Sequence, residues 1–479
     1  MSEPLIDPPV DDAPPRPDLL EKLRQPQTIR VRCAAITQAV TDGRSGWFRI
    51  DRSRLPEAAA RVAALTRRRF PDLRIPYHSR WRHFEAGGVD RKAELDVALG
   101  HLSPPDRARA QFDLTVVSVL LDAGAGAQWR YVERQAAMPA AALPAERASR
   151  DDLMSMLDQA SGAADPSSAP ATTPEPAAAA STVDSGDAAP SFMRSEGLGV
   201  ASFRAFMAGS FSSVAGQPCR VDAAALRQID VAVLRAIFQS TPTNPLVGLE
   251  GRAGLLARLG QALDAESAHD GTPARPALLF DRLTQGGRRR EVTAADLLRH
   301  VLQALGSIWT SGSRVKGVLA GDVWPHRWAG VAAGSGEDTV TRGWVPFHKL
   351  SQWLSYSLIE PLQWAGVTVT GLDALTGLPE YRNGGLLIDT GVIVPRSAPS
   401  LERHWKPGDE LVVEWRALTV SLLDELAVEV RRQLGVTAEQ MPLACVLEGG
   451  TWAAGREIAA ERRPGGAPPV LVDSDGTIF

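Results

Sequence analysis

An apolar stripe near the C-terminus constrains the fold of this 479-residue chain more than any other feature. Apolar residues recur there at the spacing of one helix face: Leu411, Trp415, Leu418, Leu422, Leu426, Val430 and Leu434. Gly435 follows where a helix commonly ends in a left-handed residue. Because residues three and four apart share a helix face, the pattern predicts one long helix packed against a core.

Shorter segments repeat this helical period. One contains Ile29, Cys33, Ile36 and Val40, and another contains Leu226, Ile229, Val233 and Ile237. Thr293 and Asp296 resemble a capping box at the start of a further helix over residues 294–305. These segments are predicted to be amphipathic helices that face the core.

Strand signals are few and short. They are GWFRID at residues 46–51, GLLID at 385–389, and PVLVDSDGTIF at the C-terminus. Residues 383–385, Asn-Gly-Gly, are predicted to form a turn in which the backbone adopts positive φ. The fold is therefore predicted to be mainly α with minor β.

Two segments have too few large apolar residues to offset the entropy of ordering them. Residues 1–18 are rich in Pro and Asp and are predicted to be a disordered tail. Residues at about 160–190 are nearly all Ala, Pro, Ser, Thr, Asp and Gly. The second segment could link two domains or interrupt one. We favour a disordered insertion within a single domain of residues 19–479, because patterned helices resume on both sides of it.

Charge and hydropathy exclude several classes of partner. The net charge of -4 comes from 52 basic and 56 acidic side chains that are well interspersed, so no nucleic-acid partner is expected. No run approaches the roughly 20 apolar residues of a membrane span, and the N-terminus is acidic and proline-rich, unlike a signal peptide. We expect no membrane association and a cytoplasmic location.

The motifs of metal, nucleotide and serine-hydrolase chemistry are missing from the sequence. Its eight histidines form no HExxH pair and no cluster with cysteine, and neither GxxxxGK[ST] nor GxSxG occurs. His78 and His83 are interpreted as polar or packing residues beside Trp81. The three cysteines are far apart and are interpreted as reduced thiols. We expect no metal site and no cofactor.

Carboxylates recur beside Trp, Tyr, Gly and Arg in several stretches. These are LLDAGAGAQWRYVE, RSEGLGVASFRAF, LGSIWTSG, GDVWPH, PFHKLSQWL and LTGLPEYRNGG. Each alone is more simply a helix end with a packing aromatic residue and an ion pair. Together they predict a pocket, in which aromatic rings form flat walls, Arg and Lys bind an anion, and a buried acid holds a water or a developing cation.

Some of these stretches also resemble a known family. RYVERQ, SEGLGVASFRAFMAGSFSS, GDVWPH, WVPFHKLSQWLSYSLIEPLQWAG and VLEGGTWAAGR resemble the uracil-catabolism family once described as a domain of unknown function, DUF1688, and linked to the fungal uracil-degrading gene set. The resemblance runs from about Pro17 to the C-terminus, except for the Ala/Pro-rich insertion. It implies a role in pyrimidine degradation and association with other uracil-catabolism enzymes.

A more distant resemblance implies a mechanism. The order of AIFQSTPTNPLVGLEGRAGLLARLG, FHKLSQ, LTGLPEYRNGGLLIDTGVIV and DELVVEWRALT is similar to the layout of the queuosine-salvage N-glycosidases. That resemblance implies a helical fold related to DNA glycosylases, in which a single catalytic domain cleaves the N-glycosidic bond of a nucleoside 5′-phosphate. The acid before Tyr-Arg in that family corresponds to Glu380, where the family has Asp.

The predicted site follows from these stretches and resemblances. Glu380 and Asp122 are the predicted catalytic residues. The predicted substrate-binding residues are Tyr381, Arg382, Lys349, Gln352, Trp129, Trp324 and Asp373. Lys349 and Gln352 match the Lys-x-x-Gln pattern of the salvage enzymes, which implies that Lys349 binds a phosphate; a solvated lysine on a helix is the alternative.

The implied reaction is cleavage of ribosylurea, or of its 5′-phosphate, to urea and ribose or ribose phosphate. The expected partner is thus a small ribonucleotide or riboside. Two alternatives stay open. One is a hydrolase that opens or deaminates the ring of a uracil nucleotide, for which the chain lacks a His/Cys cluster to activate water on a metal. The other is a non-catalytic binding or scaffold protein of the same pathway.

Overall fold

The computed structural model describes residues 20–122, 124–126, 128–134, 189–309, 312–330 and 340–473. These residues are mainly helical with short strands, which confirms the predicted mainly α class. The predicted tail at 1–18 and residues 160–188 of the predicted insertion lie outside the described residues. The strands that flank residues 135–188 pair with each other, so the chain leaves and re-enters the described structure at neighbouring points.

The helices are α1 (Pro26–Thr41), α2 (Leu55–Arg69), α3 (Arg91–Ala98), α4 (Pro104–Leu120), α5 (Arg194–Met207), α6 (Ala223–Leu226), α7 (Val231–Ile237), α8 (Leu249–Asp270), α9 (Leu278–Thr284), α10 (Ala294–Leu305), α11 (Lys349–Trp364), α12 (Tyr381–Asp389), α13 (Glu410–Leu434), α14 (Leu443–Val446) and α15 (Trp452–Arg462). A π-helical turn, Leu447–Thr451, joins α14 to α15. None of the described helices is long and apolar enough to cross a membrane.

Short strands pair two by two between the helices of the described residues. The strands are β1 (Phe48–Ile50), β2 (Arg130–Val132), β3 (Ser191–Met193), β4 (Glu291–Thr293), β5 (Arg314–Val315), β6 (Val318–Leu319), β7 (Val323–Pro325), β8 (Trp344–Pro346), β9 (Thr368–Thr370), β10 (Ile393–Pro395), β11 (His404–Trp405) and β12 (Leu471–Val472). The pairs β1–β10, β2–β3, β5–β6 and β7–β8 are antiparallel, whereas β4–β9 and β11–β12 are parallel. The predicted strand at residues 46–51 is confirmed as β1.

Long helices form the core as the apolar stripes predict. Helix α13 runs from Glu410 to Leu434 and ends at Gly435, whose φ is +74°, so the predicted long helix and its glycine stop are confirmed. It packs against α1 and α2. The capping residue of α10 is also confirmed, since the Thr293 side chain accepts a hydrogen bond from the backbone N–H of Asp296.

The stripe through residues 226–237 does not form one helix. It is divided into α6 and α7, because the carboxylate of Asp230 accepts a hydrogen bond from the backbone N–H of Val233 and starts a new helix there. An aspartate is a strong N-cap but a weak helix-interior residue. The prediction of a single helix through residues 226–237 was therefore wrong.

The GLLID stretch is helical rather than extended, so the predicted strand and the predicted turn before it were both wrong. Residues 383–389 belong to α12, and neither Gly384 nor Gly385 has a positive φ. The glycines serve packing instead. A Cβ atom on Gly384 would lie 2.7 Å from the Trp415 indole, so glycine allows α12 to lie directly against α13.

A glycine also controls how α15 meets α12. A Cβ atom on Gly455 would overlap the backbone carbonyl of Arg382. We expect Gly455→Ala to lower the free energy of unfolding by about 1–3 kcal/mol, because the clash is with backbone that cannot rotate away. Guanidinium denaturation measures the loss. Gly46→Ala is the control, since a Cβ atom there meets nothing within 4 Å. Equal stability of the two variants would contradict this account of the α12–α15 contact.

Candidate active site

A cavity of about 580 Å³ lies where the loop after α4 meets the N-terminal ends of α5, α11 and α12. Its volume is within the range of roughly 300–1,000 Å³ that is typical of small-molecule sites. The ionisable and aromatic side chains on its wall are those of His78, His83, Asp122, Arg194, Lys349, Trp353, Glu380, Tyr381, Arg382 and Trp452. The cavity is therefore polar and bears charges of both signs.

Glu380 is the N-cap of α12 and is 7% exposed. One carboxylate oxygen accepts the backbone N–H of Arg382 at 2.8 Å, and the other accepts that of Asn383 at 2.5 Å. These bonds fix the carboxylate on the cavity wall. Burial raises the pKa of Glu380 above its ordinary value, although the two N–H donors and the charges of Lys349 and Arg382 act in the opposite direction.

Lys349 is the first residue of α11 and also lines the cavity. Its backbone N–H donates to Asp322 at 3.0 Å, and Arg416 holds the same carboxylate through two bonds of 2.7 Å. Its ammonium makes no hydrogen bond or ion pair with any described residue. Burial lowers the pKa of Lys349, while Glu380 and Asp122 favour its charged form. Lys349 thus brings an unpaired cation to the wall that bears Glu380.

Two arginines add positive charge. The Arg382 guanidinium donates to the carbonyl of Gly466 at 2.8 Å and lies 4.9 Å from the ring centre of Tyr381. Arg194, at the junction of β3 and α5, donates to the carbonyl of Gly465 at 3.4 Å. Neither guanidinium pairs with a carboxylate of the described chain. Burial lowers the pKa of Arg194, and the charge of Arg382 lowers it further. This repulsion would be relieved by a bound anion.

Asp122 lies on the cavity wall at the end of α4 and is already paired. Its carboxylate contacts the fully buried guanidinium of Arg80 at 3.2 Å. Arg80 also donates to Ser118 at 2.6 Å and to the carbonyl of Ser195 at 3.1 Å. Asp122 therefore has one arginine partner, whereas Glu380 has two backbone N–H donors and no arginine partner within ion-pair distance in the described structure.

The cavity wall also carries aromatic rings, in addition to the acidic and cationic side chains. The His83 ring meets Trp353 edge to face at 5.7 Å, and the His78 ring lies 6.5 Å from the same indole. Burial, helped by the charge of Arg80, keeps the pKa of His83 well below its ordinary value. His78 and His83, interpreted from the sequence as polar or packing residues, both line the cavity.

The structure brings together five of the residues predicted from the sequence: Glu380, Asp122, Lys349, Tyr381 and Arg382. The remaining four are absent from the cavity wall: Gln352, Trp129, Trp324 and Asp373. The Gln352 amide is fully buried and hydrogen-bonds both the hydroxyl and the backbone N–H of Thr376. Asp373 is exposed in a short 3₁₀ turn.

The two tryptophans that were predicted to form pocket walls have packing roles instead. The indole N–H of Trp129 donates to the carbonyl of Phe238 at 2.8 Å inside the core. That of Trp324 donates to Asp322 at 2.7 Å. Trp324 thus hydrogen-bonds Asp322, whose carboxylate accepts the backbone N–H of Lys349. Trp324 itself does not line the cavity.

The sequence analysis did not name Arg194, Trp353 or Trp452 as site residues, although the stretches RSEGLGVASFRAF and PFHKLSQWL contain the first two. Trp353 carried a usable signal, because it lies four residues after Lys349 and must therefore share its helix face. Trp452 follows the EGG of a stretch used only for the family resemblance. Arg194 adopts a φ of +52°, a conformation that no pattern around it predicts for an arginine.

These features define a mainly α-helical protein with a charged cavity of small-molecule size. The chain belongs to the family described as "Protein of unknown function (DUF1688)", whose model matches residues 22–142 and 177–479. Membership in this family, predicted from the sequence, is confirmed. The family model does not match residues 143–176, and this stretch overlaps the predicted insertion.

Two relatives match nearly the whole chain. "Protein urg3" of Schizosaccharomyces pombe is 34% identical over 471 residues, which cover 96% of this chain and 99% of that protein. "Uracil catabolism protein 4" of Lachancea kluyveri is 32% identical over 465 residues, which cover 91% of this chain and 93% of that protein.

Proposed function

We propose that this protein acts in uracil catabolism as an N-glycoside hydrolase that cleaves ribosylurea 5′-phosphate to urea and ribose 5-phosphate. The observation that carries the proposal is Glu380, a buried carboxylate fixed on the wall of a cavity beside cations that have no carboxylate partner among the described residues. The name "Uracil catabolism protein 4" of the second relative supports the pathway.

The chemistry suits a single fixed carboxylate. As the bond between C1′ and the urea nitrogen breaks, positive charge develops on the ribose. Glu380 stabilises this charge and accepts a proton from the attacking water, so that the water oxygen bonds to C1′. The electron pair of the broken bond stays on the urea nitrogen, which takes up a proton. A charge that is oriented before the reaction is worth several kcal/mol in a site shielded from water, where the dielectric is low.

The cations favour a phosphorylated substrate. Lys349, Arg194 and Arg382 each bring positive charge to the cavity, and none forms an ion pair within the described chain. Guanidinium groups bind phosphate through paired, charge-assisted hydrogen bonds, and an ammonium adds a point charge. A ribose bound with its 5′-phosphate at the arginines and its C1′ atom at Glu380 would contact both the cationic and the acidic side chains of the cavity.

The direct test is product analysis. Purified protein incubated with ribosylurea 5′-phosphate is expected to release urea and ribose 5-phosphate in equal amounts, and EDTA is expected to leave the rate unchanged because no step requires a metal. Urea release no faster than in a protein-free blank would refute the proposal. Loss of activity on chelation would favour the ring-opening alternative, and stabilisation by ribose 5-phosphate without turnover would favour a binding protein.

The rate is expected to fall in acid at a higher pH than an ordinary glutamate would produce. Glu380 must be ionised to act, and its pKa is raised, so lowering the pH protonates it earlier than usual. The profile of kcat/KM against pH reports this group in the free enzyme. The unphosphorylated riboside serves as a control, because it carries no titrating phosphate and should give the same acid limb. A rate that stays constant down to the ordinary titration range of glutamate would contradict the assignment of Glu380.

A further inference from the structure

A histidine with a carboxylate partner faces the same cavity. The Nδ1 atom of His78 lies 2.9 Å from one carboxylate oxygen of Glu448. The other oxygen of Glu448 accepts a hydrogen bond from Arg69 at 3.0 Å. Burial acts to raise the pKa of Glu448, but the contacts with His78 and Arg69 outweigh it and hold the pKa below the ordinary value. Glu448 is thus an ionised carboxylate that is held on both sides.

The opposite edge of the His78 ring has no partner in the described part of the chain. Its Nε2 atom makes no hydrogen bond there and is not fully buried. His78 lines the cavity, and the residue as a whole is 9% exposed. A carboxylate on Nδ1 fixes the orientation of the imidazole ring, which leaves Nε2 to exchange a proton with a ligand.

The neighbouring histidine lacks this arrangement. His83 also lines the cavity, but its Nδ1 is buried without a partner among the described atoms. The pKa of His83 lies well below its ordinary value because of burial. It is therefore neutral near pH 7 and a poor proton donor. Of the two histidines, only His78 has a ring nitrogen within hydrogen-bond distance of a carboxylate in the described structure.

The fold places Glu448 by an unusual backbone. Glu448 lies in the π-helical turn between α14 and α15, and such turns frequently occur at functional sites. Gly450, two residues after Glu448, lies so close to α2 that a Cβ atom would be 2.7 Å from the carbonyl of Val62. Arg69, on the same helix, then reaches Glu448. Helix α2 thus fixes both the turn and the carboxylate.

We infer that His78 is the general acid of the proposed reaction and that Glu448 is the residue that positions it. The inference rests on the proposed function, because it assigns a donor for the proton that the departing urea nitrogen requires. The C1′–N bond breaks, its electron pair remains on nitrogen, and the Nε2 proton of His78 moves to that nitrogen. Water then bonds to C1′ and gives its proton to Glu380. Urea is a very poor leaving group as an anion, so this proton transfer is needed.

The test compares two leaving groups. Ribosylurea 5′-phosphate needs a proton on departure, whereas 4-nitrophenyl riboside 5′-phosphate releases a stable anion. We expect His78→Asn to lower kcat/KM for ribosylurea 5′-phosphate by about 10²-fold or more and to change that for the nitrophenyl substrate by less than about threefold. Glu448→Gln should show the same selective loss to a smaller extent, which a merely structural role would not produce.

Two further variants make the outcome decisive. Glu380→Gln should slow both substrates, since the ribose develops charge in both reactions. His404→Asn removes a surface histidine that also contacts a carboxylate, Asp473 at 2.6 Å, and should change neither rate. Equal effects of His78→Asn on the two substrates, or no effect on either, would overturn the inference while the proposed function stands. Wild-type protein that cleaves neither substrate would overturn the proposed function and this inference with it.

Discussion

Glu380→Gln is expected to lower kcat/KM for ribosylurea 5′-phosphate by about 10³-fold, the largest effect that any single substitution in this chain should have on activity. The glutamine side chain has the same shape and still offers a carbonyl oxygen to the start of α12. It has no negative charge for the ribose and cannot accept a proton from water. Initial rates of urea release measure the loss.

The same variant separates catalysis from helix capping. Glu380 accepts two backbone N–H groups, so a purely structural reading predicts a stability loss of about 1 kcal/mol and normal activity. Asp230→Asn is the matched control, because it makes the same change from carboxylate to amide at the N-cap of α7, and Asp230 does not line the cavity. We expect comparable stability losses by guanidinium denaturation, but loss of activity only in Glu380→Gln. Normal activity in both variants would assign Glu380 to capping alone.

Removing a cavity arginine is expected to abolish most of the preference for a 5′-phosphate. A hydrogen bond to a charged group contributes about 1.5–3 kcal/mol, so Arg194→Gln or Arg382→Gln should lower kcat/KM for the phosphorylated substrate by about 10- to 150-fold. The unphosphorylated riboside should be affected much less. The measurement is the ratio of kcat/KM values for the two substrates in each variant.

Arg74→Gln is the control for this prediction. Its side chain is 90% exposed and 3.8 Å from Asp72, and Arg74 does not line the cavity, so the substitution removes the same charge outside the site. The phosphate preference should stay at the wild-type value in this variant. An unchanged phosphate preference in Arg194→Gln and Arg382→Gln would mean that these arginines bind an anion other than the 5′-phosphate.

The helices could be predicted from the sequence where a stripe ran without interruption. Helix α13 had such a stripe, and Gly435 marked its end. Prediction failed where a local side-chain bond decided the outcome. Asp230 starts a new helix by capping Val233. In the GLLID stretch, a short apolar run bounded by glycines does not distinguish a strand from a buried helix.

Part of the site could also be predicted from the sequence, because several of its residues are neighbours along the chain. Consecutive residues around Glu380 reach the cavity together because the start of one helix carries them all. Trp129 and Trp324 came from stretches of the same composition, but their N–H groups point to the carbonyl of Phe238 and to Asp322. Composition does not indicate which way a ring faces. His78 and Glu448 are 370 positions apart, and only the folded chain brings them together.

The most direct test of the central claim is a crystal structure of the Glu380→Gln variant with ribosylurea 5′-phosphate. The account predicts the ribose inside the cavity, with C1′ within about 3.5 Å of the side chain at position 380 and the phosphate held by Arg194 and Arg382. A ligand bound outside this cavity would contradict it. So would a ligand whose C1′ lies far from residue 380, with that side chain bonded only to the backbone of α12.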